Sequence, residues 1–319
     1  FGVVQNIENV GLDNKGAIVA FFFLMDLLFR PLRQIADKFN TLQMGMVAAH
    51  RVFKILDTDS HIADEGSLEK KDVKGDIEFK EVRFSYVKGE EVLHGISFQV
   101  KAGETVAIVG ATGAGKSTII NLLNRFYEID SGHILVDGTD IKDYTLRSLR
   151  SHIAIVLQDV FLFADTIAHN ISLRDGSITT EQIEAAAKQI GVHEFISSLP
   201  GGYQYNVKER GTMLSSGQRQ LIAFLRAYVS NPSILILDEA TSSVDTYSEQ
   251  LIQQATDKIT EGRTSIIIAH RLATIKKADK IIVMDEGKII EVGTHKELLK
   301  KGGYYNDLYT AQFLAEEVA

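Results

Sequence analysis

The stretch from Gly110 to Thr118, GATGAGKST, constrains the fold of this chain more than any other feature. It fits the phosphate-binding loop pattern of a glycine, four residues, and then Gly-Lys-Ser/Thr. Residues 104–109, which precede it, are β-branched and apolar and predict a buried strand, and residues 118–125 predict a helix. Strand, glycine-rich loop and helix are the context that the motif requires, so the sequence predicts a nucleotide-binding α/β core.

The residue types in the loop match the chemistry of phosphate binding. Glycines let the backbone curl so that N–H groups point at phosphate oxygens, and the helix N-terminus adds partial positive charge. Lys116 can reach the β- and γ-phosphates, and the Ser117 hydroxyl can ligate Mg²⁺. A plain glycine turn before a helix is the alternative, which the flanking elements disfavour. The predicted nucleotide-binding residues are Gly110, Thr112, Gly113, Ala114, Gly115, Lys116, Ser117 and Thr118.

Two further sets of polar residues follow predicted buried strands. Residues 234–237 are aliphatic and lead into Asp238 and Glu239. In open α/β sheets ligands bind at the C-terminal strand edge, where Asp238 can hold Mg²⁺ through its water shell and Glu239 can accept a proton from an attacking water. A solvated strand end is the alternative. His270 follows the predicted strand 264–269, and this position favours contact with the γ-phosphate over a surface histidine.

Bulk composition excludes several classes of function. The 319 residues allow one large or two small domains, and the net charge of −8 gives no electrostatic basis for nucleic-acid binding. The chain has no cysteine, which excludes disulfides, thiolate metal sites and cysteine catalysis. It begins with Phe1 rather than Met, so we expect a segment of a longer protein.

The N-terminal region predicts one long helix over residues 16–56. Residues 16–25 are apolar and uncharged, but the run falls short of the roughly 20 residues that a membrane helix needs. A membrane helix interrupted by Asp26 and a buried core helix are therefore equally compatible with it. Pro31 should kink the helix or mark its exit from a bilayer. Beyond it, residues 35–56 show heptad-like apolar spacing, so a dimerising coiled coil is a further alternative.

The rest of the chain predicts a mixed sheet after a linker. Residues 57–75 are polar and charged, and we place a domain boundary there. Residues 76–86 and 93–100 predict antiparallel strands, with Tyr86 either an edge aromatic or a ligand contact. Downstream we predict hairpins at 131–138 and 280–293, a strand at 153–157, and helices at 179–190, 219–230, 295–301 and 304–314.

Several segments outside the phosphate loop carry recognisable motifs: Leu214-Ser-Ser-Gly-Gln218, Gln158 within VLQD, Asp245 at the end of SSVD, and His270 followed by Arg271. Through these motifs the chain resembles the ATP-binding-cassette (ABC) transporter family, and within it the half-transporter exporters. The match is strong over residues 76–315 and weaker over 16–56. One departure is Ser216, where the family most often has glycine; serine is small, so we expect little loss.

The resemblance implies an α/β fold: a P-loop NTPase core of the RecA type with a mostly parallel sheet, a small antiparallel β subdomain and an α-helical subdomain, preceded by a long transmembrane-derived helix. It divides the chain into residues 1–56 as the end of a transmembrane domain, 57–75 as linker and 76–319 as the ABC nucleotide-binding domain. It also implies ATP and Mg²⁺ as cofactors and an ATPase that powers export of an unspecified substrate.

The resemblance further assigns roles to residues. Tyr86 stacks on adenine, and Gln158 is the Q-loop glutamine that contacts ATP and Mg²⁺ together with Ser117 and Asp238. Lys116, Gln158, Glu239 and His270 form the catalytic set. The signature residues that act on the partner's ATP in trans are Leu214, Ser215, Ser216, Gly217 and Gln218, and Asp245 belongs to the D-loop.

The implied partners are a second nucleotide-binding domain, in a homo- or heterodimer, and the coupling helices of a transmembrane domain, which Lys208–Gly211 would touch. The resemblance implies a multi-pass protein of the cell membrane with the nucleotide-binding domain on the cytoplasmic side. It implies no nucleic acid as a partner. Two alternatives are a soluble ABC ATPase and the ATPase subunit of an importer. The apolar helix upstream of the nucleotide-binding domain disfavours both.

Overall fold

The computed structural model describes residues 12–58, 62–238, 246–269 and 271–312. The chain divides into two compact units, Phe1–His61 and Ile62–Ala319. The predicted apolar start at residues 1–4 lies outside the described residues, as do Glu239, Asp245 and His270.

The described part of the first unit is a single helix, α1 (Leu12–Leu56). Its 45 residues correspond to about 68 Å at 1.5 Å per residue. The helix continues through Pro31 rather than ending at it. Large apolar side chains are exposed along its length, with Phe23 73% and Met44 76% accessible. Among the helices of the described ranges, none is both long enough and apolar enough to cross a membrane.

The second unit combines strands and helices in alternation. In chain order its strands are β1 (Ile77–Val87), β2 (Glu90–Val100), β3 (Thr105–Gly110), β4 (Ser131–Val136), β5 (Thr139–Asp140), β6 (Ile153–Val156), β7 (Ile234–Asp238), β8 (Thr264–Ile268), β9 (Lys280–Asp285) and β10 (Lys288–Gly293). Its helices are α2 (Lys116–Leu123), α3 (Leu146–Ser151), α4 (Ile167–Ser172), α5 (Thr180–Gln189), α6 (His193–Ser197), α7 (Ser216–Val229), α8 (Thr246–Thr260), α9 (Leu272–Lys277), α10 (His295–Lys301) and α11 (Tyr304–Gln312).

The described strands form two sheets. The larger has the order β10-β9-β3-β8-β7-β6, and every neighbouring pair in it is parallel except β9 with β10. The smaller has the order β2-β1-β4-β5 and is antiparallel. The predicted fold class, an α/β core with a mostly parallel sheet and a small antiparallel sheet, is therefore confirmed.

Strands β3, β7, β8 and β9 of the larger sheet are mostly aliphatic, and both of their faces are buried. Along β3, Ala107 and Val109 join one apolar cluster, which contains α5, α7 and α8, whereas Val106 and Ile108 join another, which contains α2 and the smaller sheet. Successive strand residues point to opposite faces, so a strand buried on both faces requires an unbroken apolar run. Polar residues begin at the ends of these strands, so a polar ligand-binding site can form there.

The segment before β1 is attached to the second unit by polar contacts. The carbonyl of Ala63 accepts from Arg125 Nη2 at 3.0 Å, and the N–H of Leu68 donates to the carbonyl of Asp143 at 2.9 Å. Nearer to β1, the Asp137 carboxylate accepts three backbone N–H groups, those of Lys74 at 2.7 Å, Gly75 at 3.0 Å and Asp76 at 2.9 Å. The part of the predicted linker from residue 63 onwards is therefore held in place by side chains far along the sequence.

Candidate nucleotide-binding site

A cleft of 530 Å³ opens at the C-terminal edge of the larger sheet. Gly110 ends β3, Asp238 ends β7 and Ile268 ends β8. These strands are parallel, so their C-terminal ends meet at one edge, where α/β proteins bind ligands. The lining residues are Tyr86, Val92, Thr112, Gly113, Gly115, Lys116, Ser117, Thr118, Gln158, Asp238 and Ile268.

The phosphate loop adopts a conformation that requires its glycines. Gly113 and Gly115 have φ angles of 85° and 96°, in the left-handed region that other residues avoid. At Gly110 an added Cβ would lie 2.2 Å from the carbonyl oxygen of Met284, on the neighbouring strand β9. The glycines therefore allow both the curl of the loop and its close packing against the sheet. Ala114, also within the loop, is buried and does not line the cleft.

Lys116 is held inside the loop. Its side chain is buried, with 8% of the residue exposed, and Nζ donates to the carbonyl oxygens of Gly110 and Ala111, both at 2.8 Å. Burial lowers the pKa of this amine, and the nearby charge of Asp238 acts in the opposite direction. An ammonium carries three hydrogens, so one N–H direction is left over after these two bonds. The loop thus presents a positive charge close to several backbone N–H groups.

Three predicted metal-binding residues lie around the same cleft. Ser117, in the first turn of α2, is exposed, as is Gln158 in the segment after β6. Asp238 is half-buried at the end of β7. A hydroxyl, an amide and one carboxylate are donors that suit Mg²⁺, which binds few protein ligands and completes its shell with water and phosphate oxygens.

Tyr86 presents an aromatic ring at this cleft. It lies in the last part of β1 and is 46% exposed. Val92, from β2, lines the cleft with it. An accessible aromatic ring beside an aliphatic side chain suits the flat face of a base.

The predicted signature residues, 214–218, lie at the N-terminus of α7. They do not line this cleft. Ser215 is the N-cap: its Oγ accepts from Gln218 N at 3.2 Å, and Gln218 Oε1 accepts from Ser215 N at 3.0 Å. Leu214 and Gly217 are buried, whereas Ser216 is exposed, so the serine that departs from the family motif causes no packing conflict. The signature is therefore a separate surface with its own helix N-terminus.

Some residues of the site were not found from the sequence. Val92 and Ile268 line the cleft, yet each is one apolar residue in a strand and carries no motif. Asn121 contacts Tyr86 from one turn along α2. Asn121 lies three residues after Thr118 and four after Ser117, so the three side chains share one face of the helix. This spacing is the only sequence signal that could have indicated Asn121.

Together, a phosphate loop between a parallel strand and a helix, a carboxylate at the end of β7, two strands away in the same sheet, and an exposed aromatic ring define a P-loop nucleotide-binding domain. Residues 93–242 match the sequence profile of the family described as ABC transporter. Residues 93–242 are therefore an ABC transporter domain, and the predicted resemblance is confirmed.

Similar proteins point to the exporter branch of this family. The chain is 46% identical over 299 residues to the ABC transporter ATP-binding protein YknV of Bacillus subtilis (strain 168), covering 93% of this chain and 50% of the relative. It is 48% identical over 301 residues to the ATP-dependent lipid A-core flippase of Pseudomonas syringae pv. syringae (strain B728a), covering 94% of this chain and 50% of the relative.

A solved structure of a bacterial Atm1-family ABC exporter with ATP bound superposes with a TM-score of 0.76 at 43% identity. The superposition covers 90% of this chain and 50% of that chain. The chain thus spans about half the length of the relatives that it matches. These similarities favour an exporter over an importer.

Proposed function

We propose that residues 62–319 bind and hydrolyse ATP to power an ABC exporter. The observation that carries this proposal is the cleft, in which Tyr86, the phosphate loop, Gln158 and Asp238 meet at one sheet edge. The relatives, which are named as transporters, a flippase and an exporter, supply the link from ATP to export. The transported substrate would be selected by a transmembrane domain.

Within this proposal the cleft residues divide the work along the nucleotide. Tyr86 stacks on adenine, and Lys116 with the loop N–H groups binds the phosphates. Ser117, Gln158 and Asp238 would hold Mg²⁺, which would neutralise charge on the β- and γ-phosphates. Glu239, directly after Asp238, accepts a proton from the attacking water, and His270 holds the γ-phosphate.

A second nucleotide-binding domain would complete each site. Ser215 and Gly217, at the N-terminus of α7, would donate to the γ-phosphate of the partner domain, and Asp245 would lie at the same interface. The capping contact supports this role for Ser215: its oxygen accepts from Gln218 N, and that bond leaves the hydroxyl hydrogen for another acceptor. ATP-driven pairing of two such domains would then drive the membrane helices, and hydrolysis would reset them.

We also propose that residues 1–56 are the end of a transmembrane domain and that the protein is a multi-pass membrane protein with its nucleotide-binding domain in the cytoplasm. Support comes from the exposed apolar side chains of α1, which need a partner to cover them. The segment Lys208–Gly211 would meet the coupling helices. A soluble ABC ATPase and an importer subunit are the alternatives, and the exporter relatives favour neither.

The first experiment separates nucleotide binding from hydrolysis. Glu239→Gln keeps the size of the side chain but removes its basicity, so ATP hydrolysis should fall by about 10²–10⁴-fold while ATP still binds and pairs two domains. Gel filtration should show an ATP-dependent dimer that ADP does not produce. Lys116→Ala, as the control, should show neither the dimer nor hydrolysis. Hydrolysis by Glu239→Gln at the parent rate would place the base elsewhere.

The second experiment tests the adenine site optically. The chain contains no tryptophan, so Tyr86→Trp introduces a single indole at the cleft, whose emission can be excited apart from that of the tyrosines. Stacking of adenine on the indole should change its emission when ATP is added, because the ring then contacts the base directly. Inorganic tripolyphosphate, which has no base, is the control and should leave the emission unchanged. Equal changes with both ligands would remove Tyr86 from the base site.

The third experiment tests the assignment of α1. The full chain should require detergent to stay monodisperse, because its apolar helix is uncovered. A chain shortened to start at Ile62 retains the polar attachments of the second unit and should be monodisperse without detergent. If both chains behave alike in the absence of detergent, the membrane assignment fails.

A further inference from the structure

The hydroxyl of Tyr86 is bonded on two sides by one helix. Asn121 Nδ2 donates to Tyr86 OH at 3.1 Å, and Tyr86 OH donates to Thr118 Oγ1 at 3.3 Å. A phenol can accept and donate at once, so the two bonds are compatible and run in a single direction from Asn121 to Thr118. Both partners belong to α2, three positions apart, where residues share a helix face.

Two aromatic rings fix the remaining freedom of Tyr86. Its ring meets Phe84 edge-on, with centroids 4.7 Å apart and planes at 86°, and meets Tyr127 at 5.0 Å and 90°. Such edge-to-face contacts favour one orientation of the ring. The ring is nevertheless 46% exposed, so part of it faces solvent in the cleft. Tyr86 is thus held in one place while it presents a free surface.

From these contacts we infer that Asn121 is a positioning residue for the base of the nucleotide. It does not line the cleft and acts through Tyr86, whose hydroxyl it holds. Because Thr118 and Asn121 both belong to the helix that begins at the phosphate loop, they fix the distance between the base-stacking ring and the phosphate-binding groups. A ring that is already in place saves the cost of ordering it when the nucleotide binds. This inference rests on the proposed function, in which Tyr86 stacks on adenine.

The test is a double-mutant cycle on the full chain in detergent, with ATP binding measured by calorimetry. Asn121→Ala should weaken ATP binding by about threefold to tenfold, the usual range for one hydrogen bond. In a Tyr86→Phe background, where the hydroxyl is absent, the same substitution should have no further effect, since its partner is already gone. Binding of inorganic tripolyphosphate, which has no base, should be unchanged by Asn121→Ala.

The contrary outcomes are distinct. If Asn121→Ala leaves ATP affinity unchanged, the positioning role is wrong. If it weakens ATP equally in both backgrounds, or weakens tripolyphosphate as much as ATP, Asn121 acts through the general stability of α2 instead. Asn121→Leu, with a branched apolar side chain, provides a second variant should the alanine variant unfold. ATP binding by the parent and its absence in Lys116→Ala test the proposed function separately, so the two failures can be told apart.

Discussion

The N-termini of α2 and α7 are both candidates to bind phosphate, yet they are built differently. The N-cap of α2 is Gly115, at φ 96° and ψ 6°, and no side chain of the described residues caps that helix. The N-cap of α7 is Ser215, which forms a reciprocal capping box with Gln218. The first terminus thus relies on backbone shape and offers its N–H groups to an outside acceptor, whereas the second supplies its own acceptor.

This difference suggests two ways of binding the same chemical group. At α2 the ligand takes the place of the cap, so binding and local stability are linked. At α7 the capping box stabilises the helix by itself, and the serine hydroxyl can still donate to a phosphate. We therefore expect substitutions at α2 to change folding and binding together, whereas a substitution at α7 that keeps the cap should change binding without changing stability.

The largest expected effect belongs to Ser215→Asp. Aspartate is as good an N-cap as serine, so the melting temperature should stay within about 2 °C of the parent. The added carboxylate would face the γ-phosphate of the partner domain, and like charges in an interface cost several kcal/mol. The ATP-dependent dimer should therefore disappear from gel filtration while ATP binding to the single domain persists. A dimer that still forms would show that α7 does not face phosphate.

Gly115→Ala should combine a folding defect with a binding defect. An alanine at φ 96° is strained, and its Cβ would lie 2.8 Å from Leu93 Cδ2. Unfolding free energy should fall by about 1–3 kcal/mol, and ATP affinity should fall with it. Gly138→Ala is the matched control: φ is 72° and no atom lies within 4 Å of the added Cβ. The control should lose some stability but keep its ATP affinity; a parallel loss of affinity in both would contradict the assignment of α2.

Ser215→Ala tests the capping box itself. Its loss should cost about 1 kcal/mol of stability, and ATPase activity should fall because the trans contact to phosphate is lost. Thr179→Ala offers a matched control, since Thr179 and Gln182 form the same kind of box at the start of α5. Chemical denaturation should give similar losses of stability, whereas only the Ser215 variant should lose ATPase activity. Equal activities would leave Ser215 with a purely structural role.

The smallest expected effect is a dependence on pH that only the α2 site shows. Burial lowers the pKa of Lys116 below the ordinary 10.5, so its ammonium is lost at a lower pH than that of an exposed lysine. ATP affinity, which uses the charged form, should therefore decline as pH rises through this lowered pKa. Calorimetric titrations of ATP over a series of alkaline pH values provide the measurement. The contact from α7 uses a hydroxyl that does not titrate there, so constant affinity would argue against charge pairing at Lys116.

Much of the fold was predictable because its signals are local. The phosphate loop, the aliphatic runs of β3, β7 and β8, and the Asp-Gly turn between β4 and β5 each depend on a few neighbouring residues. The start of α7 was placed too late, at Arg219 instead of Ser216, although the Ser215 and Gln218 capping box that extends the helix can be read in the sequence. The predicted start of the N-terminal helix at residue 16 was likewise late, since α1 begins at Leu12.

Contacts between residues that are far apart in the sequence could not be predicted. The bond from Asn121 to Tyr86 joins positions 35 apart, and the bonds that Asp137 accepts join positions at least 61 apart. No local pattern encodes such pairs, because they arise only when strands and helices pack. The roles of Glu239, Asp245 and His270 likewise stay predictions, since these residues lie outside the described part of the chain.

The attachments of residues 63–76 give the second unit a particular response to mechanical load. A pull from the N-terminal side would reach the bond from Arg125 to Ala63 first, then the contacts of Leu68, and only afterwards the three N–H groups held by Asp137. Hydrogen bonds that are loaded one after another break one at a time, whereas the three N–H bonds to Asp137 are loaded together. A pulling force would therefore break the contacts of this segment first. The bonds to Asp137, in the β4–β5 turn, would resist it before it acted on β1, which carries Tyr86.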